Sequence, residues 1–196
     1  MAQSRRVGIG SVLGGGFSYN VIPSLSPPAL ALGPQADFGT IEVRWFLPSG
    51  HSIDLYSQFG NTLISTALAL TPRRTDAPGT LVFASLGALY NLNLGTGRTR
   101  ALLALGIEVG GDYGVGGSYD RTRPVKAAFR IPARIGVERL FPDASLGLQF
   151  MLRPFFEVVG YGRNDGQSLT SPGFAVLAEI GFVFYPGMSR ARRLTP

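Results

Sequence analysis

Phe129-Arg130-Ile131-Pro132-Ala133-Arg134-Ile135-Gly136-Val137-Glu138 is the stretch that decides the fold. Its odd positions are Phe, Ile, Ala, Ile and Val; its even positions are Arg, Pro, Arg, Gly and Glu. An extended strand sends successive side chains to opposite faces, so a period of two separates an apolar face from a polar one. The same period runs from Phe174 to Tyr185. There Phe174, Val176, Ala178, Ile180, Phe182 and Phe184 share one face, and Glu179 and Gly181 fall on the other.

Working outward, eight segments read this way: 6–19, 38–47, 51–60, 80–92, 101–110, 127–141, 145–159 and 173–185. Together they take about half of the chain, well above the ~20–25% strand content of ordinary domains, and a closed barrel accounts for that excess. Each meets the ~9–11 residues a tilted strand needs to cross a bilayer. The connections alternate in length. Asn20–Asp37, Asn61–Gly79, Gly111–Lys126 and Gly160–Pro172 are long; Pro48–Gly50, Asn93–Arg100 and Pro142–Ala144 are short. Long loops at one end and tight turns at the other, with an even strand count, describe a transmembrane barrel. The prediction is therefore all-β: an eight-stranded antiparallel up-and-down transmembrane β-barrel. It forms a single domain over 1–196, with a basic tail at 187–196 and both termini at the short-turn end. The Pro-rich stretch 22–34 reads as an outer loop.

Composition supports this. The chain has 196 residues, 45% hydrophobic and only 15% charged. An ordinary soluble domain carries about 25% charged residues. With Gly at 27, Pro at 14 and no Cys, a helical bundle, a disulfide scaffold and Cys-based zinc sites are excluded. No apolar run reaches the ~18 residues of a membrane helix.

The two faces differ in bulk. One carries Ile41/Val43/Trp45/Leu47, Leu103/Leu105/Ile107/Val109 and Leu146/Leu148/Phe150/Leu152. The other carries Gly8/Gly10/Gly14/Gly16, Gly106/Glu108/Gly110 and Gly147/Gln149/Arg153/Glu157. An eight-stranded barrel has room inside for side chains and little else. Leu and Phe from every strand would overfill it, whereas glycines and a few long charged residues fit. The bulky face therefore points outward, into lipid. A soluble ligand-binding barrel would invert this arrangement and is the alternative.

The pattern resembles the OmpA/OmpX-type eight-stranded outer-membrane barrels of Gram-negative bacteria over residues 5–186. Glu179, Gly181 and Phe184 resemble the C-terminal assembly signal of that class, which implies the barrel assembly machinery as a partner during insertion. The sequence departs from the class after that strand, where Pro186-Gly187 and the basic run Ser189-Arg190-Ala191-Arg192-Arg193 follow. The resemblance implies the bacterial outer membrane, with periplasmic termini and a signal peptide already removed; Met1–Arg6 has no apolar core of its own.

Charge is distributed by location. By parity, Arg44, Arg130, Arg134 and Arg153 face inward with Glu42, Asp54, Glu108, Glu138, Glu157 and Glu179. Buried charges must pair, so this set is expected to form a lumen network that plugs the barrel; a narrow channel for small or hydrophobic solutes is the alternative. The turn Leu47-Pro48-Ser49-Gly50-His51 has the chemistry of a three-residue hairpin loop, with Pro opening a type I turn and Gly in the left-handed position. Leu47 then faces His51, which puts Arg44 across from Asp54 and Glu42 across from Tyr56. Losing Asp54 alone should strand Arg44.

The short-turn end carries Arg5, Arg6, Arg98, Arg100, Arg139, Arg190, Arg192 and Arg193 against Asp143. That excess suits the phosphates of membrane lipids. In the outer loops Arg121, Arg123 and Lys126 are candidates for lipopolysaccharide phosphates. Nucleic acid is not expected, since no basic groove is interleaved with aromatics.

The residues for catalysis are missing. His51, the one histidine, starts the third strand at the turn end, so no Ser/His/acid set faces the loop end. One His and no Cys exclude a histidine-rich metal site, and Gly8-x-Gly10 lacks the third glycine of a dinucleotide loop. The expectation is a non-enzymatic protein without cofactor or metal, with a structural or surface-interaction role through its long loops.

Overall fold

A computed structural model of the chain describes residues 7–22, 29–64, 79–95, 97–115, 126–141, 145–162 and 168–186. Eight strands follow one another: β1 (Val7–Ile22), β2 (Ala29–Phe46), β3 (Ser52–Ile64), β4 (Gly79–Leu94), β5 (Thr99–Val115), β6 (Lys126–Phe141), β7 (Leu146–Gly162) and β8 (Ser168–Phe184). Each pairs antiparallel with its neighbour in sequence, and β1 closes on β8 from Ile9↔Phe184 to Asn20↔Gly173. Closure leaves no strand edge, so every ladder can be satisfied within the sheet, which a hydrocarbon environment requires.

The strands run longer than the alternation alone suggests. Stretch 29–37, expected in a loop, is the first half of β2 and pairs with Gly14–Ile22. Likewise β5 continues to Val115 and β8 starts at Ser168. The hydrogen-bond ladder needs only N–H and C=O groups, so pairing continues where the side-chain pattern fades. What remains of the four expected long loops, 23–28, 65–78, 116–125 and 163–167, lies outside the described residues.

The turn between β2 and β3 follows its sequence. Leu47 N–H donates to His51 O at 2.9 Å, and Gly50 N–H donates to Leu47 O at 3.0 Å. Gly50 has φ +86°, the left-handed conformation that glycine adopts without a Cβ clash. The resulting register sets Arg44 against Asp54 and Glu42 against Tyr56. Further along β2, Asp37 pairs with Gly60 but Gly39 with Phe59, so Phe38 is an extra residue in a β-bulge.

Inside and outside separate cleanly. Ile41, Val43, Trp45, Leu103, Leu105, Ile107, Phe150, Leu152, Ile180 and Phe182 are exposed on the outer surface. Their in-line neighbours Glu42, Arg44, Glu108, Gln149, Arg153 and Glu179 are buried. At the turn end the lumen is covered by a small apolar cluster of Leu140, Val183 and Tyr185, with Phe46 packed against it.

Candidate functional site

Parity along β2, β3, β5, β6, β7 and β8 aims charged side chains at the barrel axis, and all ten expected lumen charges are buried there. Glu42, Arg44, Asp54, Arg134, Glu138 and Arg153 are at most 1% exposed, and Glu108, Arg130, Glu157 and Glu179 at most 5%. They form a ladder of alternating sign along the lumen.

The ladder starts at the turn end. Arg100 pairs with Glu138, directly across from it in the β5–β6 register. Arg44 Nη1 lies 3.5 Å from the same Glu138. Arg44 also grips Asp54 with both ends of its fork, Nε to Oδ1 at 2.8 Å and Nη2 to Oδ2 at 2.7 Å. Glu42 sits 3.5 Å from Arg44 Nη2 and accepts from Arg134 Nη1 at 2.8 Å. Arg134 Nε in turn lies 3.3 Å from Glu179, whose other oxygen is 2.8 Å from Arg153 Nε. Arg153 reaches Glu108 at 3.7 Å and donates to Gln58 at 2.7 Å. Arg130 then bridges Glu108 at 2.9 Å and Glu157 at 2.8 Å.

Neutral side chains fill the gaps. The Tyr185 hydroxyl donates to Glu138 and accepts from Arg44 at 3.1 Å and Arg100 at 2.9 Å. The Tyr56 hydroxyl donates to Glu108 at 2.8 Å. With its oxygen turned toward Arg44, the Gln149 amide accepts from both guanidinium nitrogens, at 2.7 and 3.1 Å. The guanidinium groups also stack on rings: Arg100 over Phe46 at 5.1 Å, Arg134 over Tyr56 at 5.4 Å, Arg130 over Phe155 at 5.5 Å. Planar, weakly hydrated guanidinium suits both roles, which explains why lumen cations are arginines.

Arg100 corrects the charge count. Sequence alone assigns it to the turn-end rim, yet its side chain is 12% exposed and joins Glu138 in the lumen. It stands one residue before the segment where alternation becomes legible; aligning β5 with β6 would have found it. Tyr56, Gln58, Gln149 and Tyr185 likewise carry no signal beyond inward parity. The described lumen therefore holds five arginines against six carboxylates.

The remaining candidates lie elsewhere. Arg121 and Arg123 fall outside the described residues; Lys126 opens β6, paired through its backbone with Asp112. His51 is half-buried at the turn between β2 and β3, with its ring 5.7 Å from that of Tyr90.

Neisserial surface protein A has a solved structure that superposes on this one with a TM-score of 0.51, covering 88% of this chain and 95% of that one at 11% identity. This chain has the fold of the OmpA/OmpX-type eight-stranded outer-membrane barrels. Two further structures resemble it at lower scores. The outer membrane protein AlkL aligns over 95% of this chain and 94% of its own at 14% identity, TM-score 0.47. Ail, the attachment invasion locus protein of Yersinia pestis, aligns over 92% of this chain and 99% of its own at 10% identity, TM-score 0.43. No family model and no curated protein matches the sequence.

Proposed function

We propose that this barrel is a non-enzymatic outer-membrane protein with a closed lumen, whose work is structural or lies in surface interaction through the loops opposite the short turns. The observation that carries the reading is the unbroken ladder from Arg100 to Glu157. Each arginine in it touches at least two acceptors, and it occupies the axis of a barrel with little spare width. For water and ions to pass, several paired charges would have to separate in a medium of low dielectric, at several kcal/mol for each charge stranded. In this reading the turn end and both termini face the periplasm and the loops face outward. There Arg121, Arg123 and Lys126 could engage lipopolysaccharide phosphates.

The test is conductance. Protein reconstituted into planar bilayers should show no large, long-lived openings. Steady openings on the scale of a general porin would overturn the closed-lumen reading and favour a channel. A protein that stays in solution without detergent would favour the ligand-binding barrel.

A further inference from the structure

Among the described side chains the outer surface is largely apolar, and two exposed charges interrupt it. Among the residues whose side chains are described, Arg98 and Arg139 alone are both charged and exposed; the other charged side chains turn into the lumen. These two are neighbours. Thr99 pairs with Arg139 across the β5–β6 ladder, and Leu140 N–H donates to Arg98 O at 2.6 Å. Arg139 Nη1 donates to the Thr99 hydroxyl at 3.1 Å. No carboxylate is exposed among the same residues, so no described acid competes for these cations.

Position says what Arg139 faces. Arg139 takes an outward place on β6 between Val137, 46% exposed, and Phe141, 43% exposed. Its cross-strand neighbour on β7 is Leu148. An arginine on an apolar surface near the end of a membrane strand lays its stem along that surface and lifts its head to the polar boundary. The adjoining Arg98 and the Thr99 hydroxyl, which accepts from Arg139 and keeps its own proton to donate, complete a set of donors. Guanidinium N–H groups match phosphate oxygens in number and geometry.

We propose that Arg98, Thr99 and Arg139 form a binding site for the headgroup phosphate of an anionic phospholipid, on the outside of the barrel at its turn end. The inference rests on the membrane-barrel reading and names a ligand for it. A lipid fits better than free phosphate because Val137, Phe141 and Leu148 would lie along its acyl chains, contacts a soluble anion cannot make.

The experiment is native mass spectrometry of the detergent-solubilised full chain, titrated with dioleoylphosphatidylglycerol, dioleoylphosphatidylcholine or inorganic phosphate. Folding of each variant is checked first by its heat-modifiable mobility in SDS. The wild type should retain phosphatidylglycerol in preference to phosphatidylcholine, and inorganic phosphate should not displace it. Each of Arg98→Gln and Arg139→Gln should weaken retention about fivefold, from ~1 kcal/mol per basic residue at a lipid surface. Arg139→Lys, which keeps the charge and loses the fork, should fall between. Equal retention of the two lipids, retention unaffected in the Arg98→Gln/Arg139→Gln double variant, or displacement by inorganic phosphate would overturn the site and leave the barrel reading intact. A wild-type chain with no heat-modifiable band would remove both.

Discussion

Removing Arg44 should harm the barrel more than removing Asp54, although the two are each other's best partners. Sequence alone points to loss of Asp54 as the change that strands Arg44. The structure distinguishes the two partners. With Asp54→Asn, Arg44 keeps Glu42 and Glu138 at 3.5 Å and the Tyr185 hydroxyl at 3.1 Å, and the described lumen moves from five arginines and six carboxylates to equality. With Arg44→Met, Asp54 loses both short hydrogen bonds, and its nearest remaining cation is Arg134 at 3.9 Å. The carboxylate excess meanwhile doubles. A buried ion stripped of its partner costs about 3–5 kcal/mol. We expect Arg44→Met in that range, and Asp54→Asn nearer the ~1.5–3 kcal/mol of a lost hydrogen bond to a charged group. The double change Arg44→Met/Asp54→Asn should recover at least about 2 kcal/mol relative to Arg44→Met alone, because it removes the orphan. The assay is urea unfolding in lipid vesicles, read by the heat-modifiable band and by Trp45. Trp45 is the chain's one tryptophan, next to Arg44 and exposed on the outer face. Equal losses for the two single variants, or a double variant no better than Arg44→Met, would refute the reasoning.

Two other perturbations test the lumen and the sheet separately. A side chain at Gly87 would overlap the Tyr56 ring, so Gly87→Val should push Tyr56 off Glu108 and cost about 1–3 kcal/mol, with Tyr56→Ala relieving part of that loss in the double variant; additive losses in the same unfolding assay would count against it. The β6–β7 ladder passes from Pro132↔Phe155 to Ile135↔Leu152, leaving Pro154 opposite Ala133 without a pair, and Pro154 has no N–H to offer. Pro154→Ala supplies that donor and should raise the urea midpoint by about 1 kcal/mol of added stability; an unchanged or lower midpoint would mean that the missing donor does not limit this seam.

What was legible in the sequence follows from what each feature depends on. The eight strands and the two faces depend on a contrast between lipid and lumen, and Phe129–Glu138 or Phe174–Tyr185 state it residue by residue. The Arg44–Asp54 register depends on one local turn, and Pro48 and Gly50 specify that turn chemically. By contrast, the bulge at Phe38, where Asp37 pairs with Gly60 and Gly39 with Phe59, shifts the register by one residue and leaves no mark in the composition of β2. Partner choice is the least legible of all. Glu179 serves Arg134 and Arg153, which the β6–β7 register sets opposite each other, and their like charges need a carboxylate delivered from the next strand. Nothing local to β6 or β7 encodes that; it exists only once β8 has closed against β7. The ladder is thus a property of the closed barrel, and its pairs cannot all form before the strands that carry them are joined. The arginines opposite each other on β6 and β7 gain the carboxylate they share only when β8 lies against β7, which favours closure over any partly assembled sheet.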